Sequence, residues 1–283
     1  MEIGFINGEF LPLEEIRISP DDRGFLFADG IYEVVRWYGG FFFDMKSHLS
    51  RLKRSMKEIQ IKWSGADSFP SFAKELIKLN DLRDQPAIVY LQITRGASPR
   101  SHAFPSPEVP ATVFSYARRL NHENEMICRG LRAILIKDPR WNRCDIKSIS
   151  LLPNVLSFQA AREAGCNECI FSRDGLITEC AHSNIFFVAG GVLRTHPESE
   201  NILSGITRKN ILRLARKEGI PVSETAIPEN ILPDVSEVFI TNTSFEIAPV
   251  ISINGITVQD GNPGSVTKAL RAKFDAMISS LKV

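Results

Sequence analysis

Turn-forming, glycine-bearing pairs punctuate this chain, among them Asn7-Gly8, Gly39-Gly40, Asp174-Gly175, Gly190-Gly191 and Asn254-Gly255. Pairs of this kind accept positive φ at little cost, so between short apolar runs they read as tight turns joining strands. Asn7-Gly8, Gly39-Gly40 and Asn254-Gly255 read as hairpin turns, the second flanked by strands at 33–38 and 41–44. Ala87–Thr94 and Ala111–Tyr116 read as strands by their β-branched and aromatic content. Leu49, Leu52, Met56 and Ile59 share one face of a helix starting near Ser47, and a second helix is expected from Ser71 to Leu82. Hairpins and helices in one stretch make the first half α+β.

The second half opens on a strand at Leu131–Ile136. A helix follows from Asn154 to Ala164, with Gly165 just past its end. Thr207–Glu218 is amphipathic, with Ile211, Leu212, Leu214 and Ala215 inward, and Gly219 and Pro221 stop it. The tail from Ser265 to Leu281 is also helical. Between the halves lies a polar stretch of mixed charge. The expected layout is an α+β domain at 1–118, a linker at 119–126 and a second domain at 127–283. A length of 283 residues accommodates two ordinary domains.

A net charge of +1 gives no reason to expect nucleic acid or a membrane surface as a partner. No apolar run reaches membrane-spanning length, and the start Met1-Glu2-Ile3-Gly4-Phe5 lacks a basic segment and a long apolar run, so a cytoplasmic protein is expected. Cys166 and Cys169 form a C-x-x-C, but no second ligand pair accompanies it. No metal site is expected.

Three features carry chemistry. Lys147 closes the run Arg143-Cys144-Asp145-Ile146-Lys147-Ser148. Glu179 precedes the apolar run 185–188. Arg100 and His102 form an Arg-x-His pair after Thr94-Arg95-Gly96. By itself such a lysine is a solvated charge. Together, an amine able to form a Schiff base, a lone carboxylate and an Arg-x-His pair are what pyridoxal phosphate chemistry on a carboxylate-bearing amine requires.

Longer stretches sharpen this. They are 22–35, His48-Leu49-Ser50-Arg51-Leu52, 94–105, 140–148, Gly165 to Ile170, Leu203-Ser204-Gly205-Ile206-Thr207-Arg208 and Glu246-Ile247-Ala248-Pro249-Val250. In these the chain resembles the fold-type IV pyridoxal-phosphate enzymes, and within them the bacterial D-amino-acid aminotransferases, in one order over nearly its whole length. The resemblance implies a two-domain fold-type IV architecture, pyridoxal 5'-phosphate as cofactor, and transamination of a D-amino acid such as D-alanine with 2-oxoglutarate. It implies that Lys147 holds the cofactor and carries the Cα proton, and that Glu179 faces the pyridine nitrogen. Ile206 and Thr207, at a helix start where free N–H groups and the dipole favour anions, would hold the phosphate with Arg51 and Thr243. Tyr32, Arg100 and His102 would hold the substrate α-carboxylate, Arg100 and His102 reaching in from a neighbouring subunit, which implies a homodimer with shared active sites.

The chain departs from that family at two places. Cys180-Ala181-His182-Ser183 stands where small hydroxyl residues are usual, and Phe245 in Thr241-Asn242-Thr243-Ser244-Phe245 stands where a small polar residue is expected. Both bear on the side-chain preference. Branched-chain L-amino-acid aminotransferases, (R)-amine transaminases and aminodeoxychorismate lyases are the rival readings. The run Gly261–Lys268 lacks Gly-Lys-Ser/Thr and is not a phosphate-binding P-loop.

Overall fold

The computed structural model describes residues 1–120 and 129–281. The chain divides into two compact units. One comprises Met1–Asn121 with Ile146–Ser150, the other His122–Asp145 with Leu151–Val283. This differs from the contiguous division expected from the sequence, because the segment bearing Lys147 belongs to the first unit. Arg119 is a strand residue and Leu120 bonds back to Pro86. Residues 121–126 of the expected linker lie outside the described residues.

Among the described residues the first unit has a five-stranded antiparallel sheet. Its strands are β1 (Ile3–Ile6), β2 (Glu9–Pro12), β3 (Gly30–Tyr38), β4 (Pro86–Thr94) and β5 (Thr112–Arg119), in the order β2-β1-β5-β4-β3. A short helix, α1 (Arg23–Phe27), precedes β3, and α2 (Met45–Glu58) and α3 (Phe69–Leu79) follow it. Strand alternation sends Ile31, Glu33 and Val35 inward with Val89, Leu91 and Ile93, onto Leu52 and Met56 of α2 and Phe69, Phe72 and Leu76 of α3. Each such apolar side chain stabilises the unit by about 1.5–3 kcal/mol. The hairpin expected at Gly39-Gly40 keeps only one bridged pair, Trp37 with Phe42. Asp44 turns left-handed (φ 43°) and accepts from the Ser47 N–H as the N-cap of α2, which ends the second arm.

The second unit holds a mixed sheet of ten strands among the described residues. They are β6 (Leu131–Lys137), β7 (Glu168–Arg173), β8 (Leu176–Cys180), β9 (Asn184–Ala189), β10 (Val192–Thr195), β11 (Val222–Glu224), β12 (Ile227–Pro228), β13 (Glu237–Asn242), β14 (Glu246–Ile253) and β15 (Ile256–Thr257). The order is β11-β10-β9-β13-β14-β6-β7-β8-β12, with β15 on β14. Asp174-Gly175 and Asn254-Gly255 join antiparallel neighbours with positive φ at both positions (53° and 75°; 52° and 76°), the twist that closes a two-residue hairpin. The helices are α4 (Leu152–Glu163), α5 (Ile206–Lys217) and α6 (Ser265–Ser280). On α5, Ile211, Leu212, Leu214 and Ala215 are all buried. No helix among the described residues is long and apolar enough to cross a membrane.

Candidate active site

In the first unit Lys147 is held by its backbone. Its N–H donates to Ser55 Oγ at 3.3 Å, and its carbonyl accepts from the Tyr32 N–H at 2.9 Å. Ser148 bridges Ile31, so the segment lies along β3. The Lys147 ammonium sits 4.2 Å from the centroid of the Tyr32 ring, a cation–π distance. Tyr32 stacks in turn on Tyr90.

Beneath them lies a buried charge cluster. Glu33 is wholly inaccessible. Arg51 donates to both its oxygens, Nε to Oε2 at 3.0 Å and Nη2 to Oε1 at 2.6 Å, and His48 Nδ1 lies 2.9 Å from Oε1. Burial pushes the Glu33 carboxyl up, but Arg51 and His48 outweigh it and hold the group far below the usual carboxylate range. Burial also lowers His48, against the pull of Glu33. Arg51, which the sequence presents on a basic helix face, is thus buried and engaged with Glu33.

Arg100 and His102 occupy an exposed loop after β4. Both meet Phe27: the Arg100 guanidinium lies 5.0 Å from its ring centroid, and the His102 ring 5.3 Å. The loop is braced from below. Arg23 donates to the carbonyls of Ser101 and Ala103, and Arg23 and Arg95 both donate to Asp29. Arg95 also stacks on Phe104 at 3.6 Å. Burial raises Asp29, and the two guanidinium groups bring it below its ordinary value. Within the first unit, then, Tyr32 meets Lys147 and the Arg-x-His pair meets Phe27.

In the second unit Glu179 is buried at the end of β8. Arg140 donates to Oε1, while the Asn184 amide and the Leu203 N–H each donate to Oε2 at 3.0 Å. Arg140 is itself fixed by Asp138, through Nε and Nη2 at 2.9 Å each, and lies 4.5 Å over the Phe171 ring. Burial raises the Glu179 carboxyl and Arg140 opposes it. A carboxylate held at both oxygens has a fixed orientation, which is what a partner for a protonated ring nitrogen requires.

Helix α5 begins nearby in the chain. Its N-cap is Gly205, and no side chain caps it. Ile206 and Thr207 therefore stand in the first turn, where N–H groups lack intrahelical partners. Thr207 Oγ1 donates to the Asn242 carbonyl at 3.1 Å, so the β13–β14 turn bearing Thr243 adjoins the helix start. Asn242 Oδ1 shapes that turn by accepting from the N–H groups of Ser244 and Phe245. The structure thus brings Glu179, Ile206, Thr207 and the Thr243 turn together in this unit through Asn184, Leu203 and Asn242.

Several supporting residues had no role assigned from sequence: Glu33 and His48 behind Arg51, Arg140 and Asp138 behind Glu179, Asn184, and the Arg23–Asp29–Arg95 brace. One signal existed for Glu33, a charge at a core-facing position of an alternating strand. Of the C-x-x-C pair, Cys169 is buried and Cys166 half-buried. Among the described residues no cluster of three or more His, Cys, Asp or Glu could hold a metal ion.

The class IV amino-transferase family model matches residues 30–253. D-alanine aminotransferase from Staphylococcus haemolyticus is 39% identical over 277 residues, covering 98% of each chain. D-alanine aminotransferase from Bacillus licheniformis is 40% identical over 278 residues, covering 97% of this chain and 96% of its own. Among solved structures, the branched-chain amino acid aminotransferase of Escherichia coli superposes with a TM-score of 0.90 at 28% identity, covering 97% of this chain and 94% of its own.

Proposed function

The chain belongs to the class IV aminotransferase family, and on that premise we propose that it moves the amino group of a D-amino acid such as D-alanine to 2-oxoglutarate, with pyridoxal 5'-phosphate as cofactor. One observation carries the reading. Over nearly its whole length the chain is 39% identical to a D-alanine aminotransferase, against 28% for the branched-chain enzyme that shares its fold.

The residues present fit the cofactor chemically. Helix α5 offers an uncapped N-terminus to a phosphate. A Cβ on Gly205 would collide with Asn184 Oδ1, so a glycine at the N-cap is what lets Asn184 pack against the helix start while it holds Glu179. Thr241 Oγ1, opposite Asn184 in the β9–β13 register, is buried without a hydrogen-bond partner among the described residues, leaving a polar atom for a bound group. Glu179 suits a protonated ring nitrogen and Lys147 an aldehyde carbon. When bound, pyridoxal phosphate supplies the carbonyl that takes the amine and the electron sink for the electrons left at Cα.

Each residue then has a defined role. Lys147 anchors the cofactor and carries the proton removed from the substrate Cα. Glu179, oriented by Arg140 and Asn184, keeps a proton on the ring nitrogen. Ile206, Thr207, Thr243 and Arg51 hold the phosphate. Tyr32, Arg100 and His102 hold the α-carboxylate, with Arg100 and His102 supplied by the second subunit of a homodimer. Pyruvate and D-glutamate are the products from D-alanine and 2-oxoglutarate.

A half-reaction screen tests this. The holoenzyme is mixed separately with D-alanine, L-leucine and aminodeoxychorismate while cofactor absorbance and keto-acid product are followed. D-alanine should react fastest and release pyruvate. Faster turnover of L-leucine makes the protein a branched-chain enzyme, and pyruvate from aminodeoxychorismate makes it a lyase.

A further inference from the structure

The connection from β8 to β9 is only three residues long, Ala181-His182-Ser183, and lies between Glu179 and Asn184. His182 in this connection is built into a network. Its Nδ1 lies 3.1 Å from Oε2 of Glu168, a carboxylate 1% exposed, while the His182 side chain is 47% exposed. Ser183 Oγ donates to the same Oε2, and the Asn242 amide donates to Ser183 Oγ at 3.2 Å. The Asn242 carbonyl in turn accepts from Thr207. The imidazole is therefore tied, through short polar contacts, to the candidate phosphate turn and the neighbourhood of the candidate ring carboxylate. Phe158 and Phe245 stand edge-on to it, with centroids 5.2 and 6.1 Å away.

Burial pushes the Glu168 carboxyl up, while His182, the Cys169 N–H and Ser183 oppose it. With Nδ1 turned to Glu168, the imidazole presents Nε2 outward, and Nε2 donates when the ring carries both hydrogens, as when a second carboxylate approaches it. A hydrogen-bond donor between two aromatic walls suits a substrate side chain that ends in an acceptor oxygen.

We propose that His182 is the side-chain recognition residue of this enzyme, with Nε2–H donating to the distal carboxylate of a dicarboxylic substrate such as glutamate or 2-oxoglutarate. This rests on the aminotransferase reading above and adds the residue that separates acidic from small apolar side chains.

The test is the ratio of kcat/KM for D-glutamate to that for D-alanine in the holoenzyme. His182→Phe retains an aromatic ring between Phe158 and Phe245 but has no donor. It should lower the ratio about ten- to a hundredfold, the worth of one charge-assisted hydrogen bond. His182→Arg, which restores a cationic donor, should recover most of that ratio. A general structural role moves both substrates together, so a ratio within about threefold of wild type in His182→Phe overturns the proposal, as does a ratio that His182→Arg fails to recover. If the wild type instead uses L-leucine and not D-alanine, the D-amino-acid reading fails. The same ratio measured with L-glutamate and L-leucine then decides the role of His182.

Discussion

The Asn184 amide donates to Oε2 of Glu179 at 3.0 Å. The same nitrogen also donates to the Leu203 carbonyl at 2.8 Å, just ahead of the start of α5. One side chain thus ties the orientation of a buried carboxylate to the position of an uncapped helix N-terminus. A cofactor with a ring nitrogen at one end and a phosphate at the other needs both fixed relative to one another.

Glu179→Gln keeps the shape of this arrangement but removes the charge. The variant should retain cofactor, judged by its absorbance after gel filtration, while the proton-transfer step slows about a hundredfold or more in single-turnover measurements. An amide cannot hold the ring nitrogen in its protonated form. Unchanged transamination would rule the role out.

Lys147 should carry the cofactor covalently. Borohydride reduction of the holoenzyme, followed by peptide mapping, is expected to label Lys147 alone, since its backbone is pinned on both sides by Ser55 and Tyr32. A label on any other lysine sinks the assignment.

Arg100→Ala should raise KM for D-alanine and 2-oxoglutarate with cofactor still bound. Loss of one charge-assisted contact is worth about 1.5–3 kcal/mol, roughly ten- to a hundredfold in kcat/KM. If the pair serves a neighbouring subunit, mixing this variant with inactive Lys147→Ala should give more activity than either alone. Hybrid dimers contain one site with both wild-type residues. Confirmed subunit exchange without added activity removes the cross-subunit role.

Glu33→Gln should destabilise the first unit. It leaves Arg51 buried beside a neutral amide, and breaking a buried pair this way costs about 3–5 kcal/mol. Because the folded carboxyl titrates below its ordinary value of 4.5, the stabilisation is complete above that pH and is lost as pH falls through the folded value. The thermal midpoint of the wild type should therefore approach that of Glu33→Gln as pH falls from about 7 to about 3. A gap that stays constant or widens on acidification contradicts the assignment.

What the sequence determined by itself was local. Turn pairs such as Asp174-Gly175 specify hairpins because only a few residue types accept their backbone angles, and the apolar stripe of α5 specifies its buried face through helical period alone. The candidate amine, carboxylate and helix start were legible because each lies in a short run resembling a known family. Tertiary structure alone decided their partners. Asp29 bonds Arg95 across 66 residues, Glu179 bonds Arg140 across 39, and the Lys147 segment joins the first unit although it follows β6 in the chain. Such partners depend on strand register and on which faces bury against each other, and a buried charge takes whichever counter-charge that packing delivers. No local pattern encodes this, because the free energy that selects the pair is that of desolvated groups meeting in the finished core.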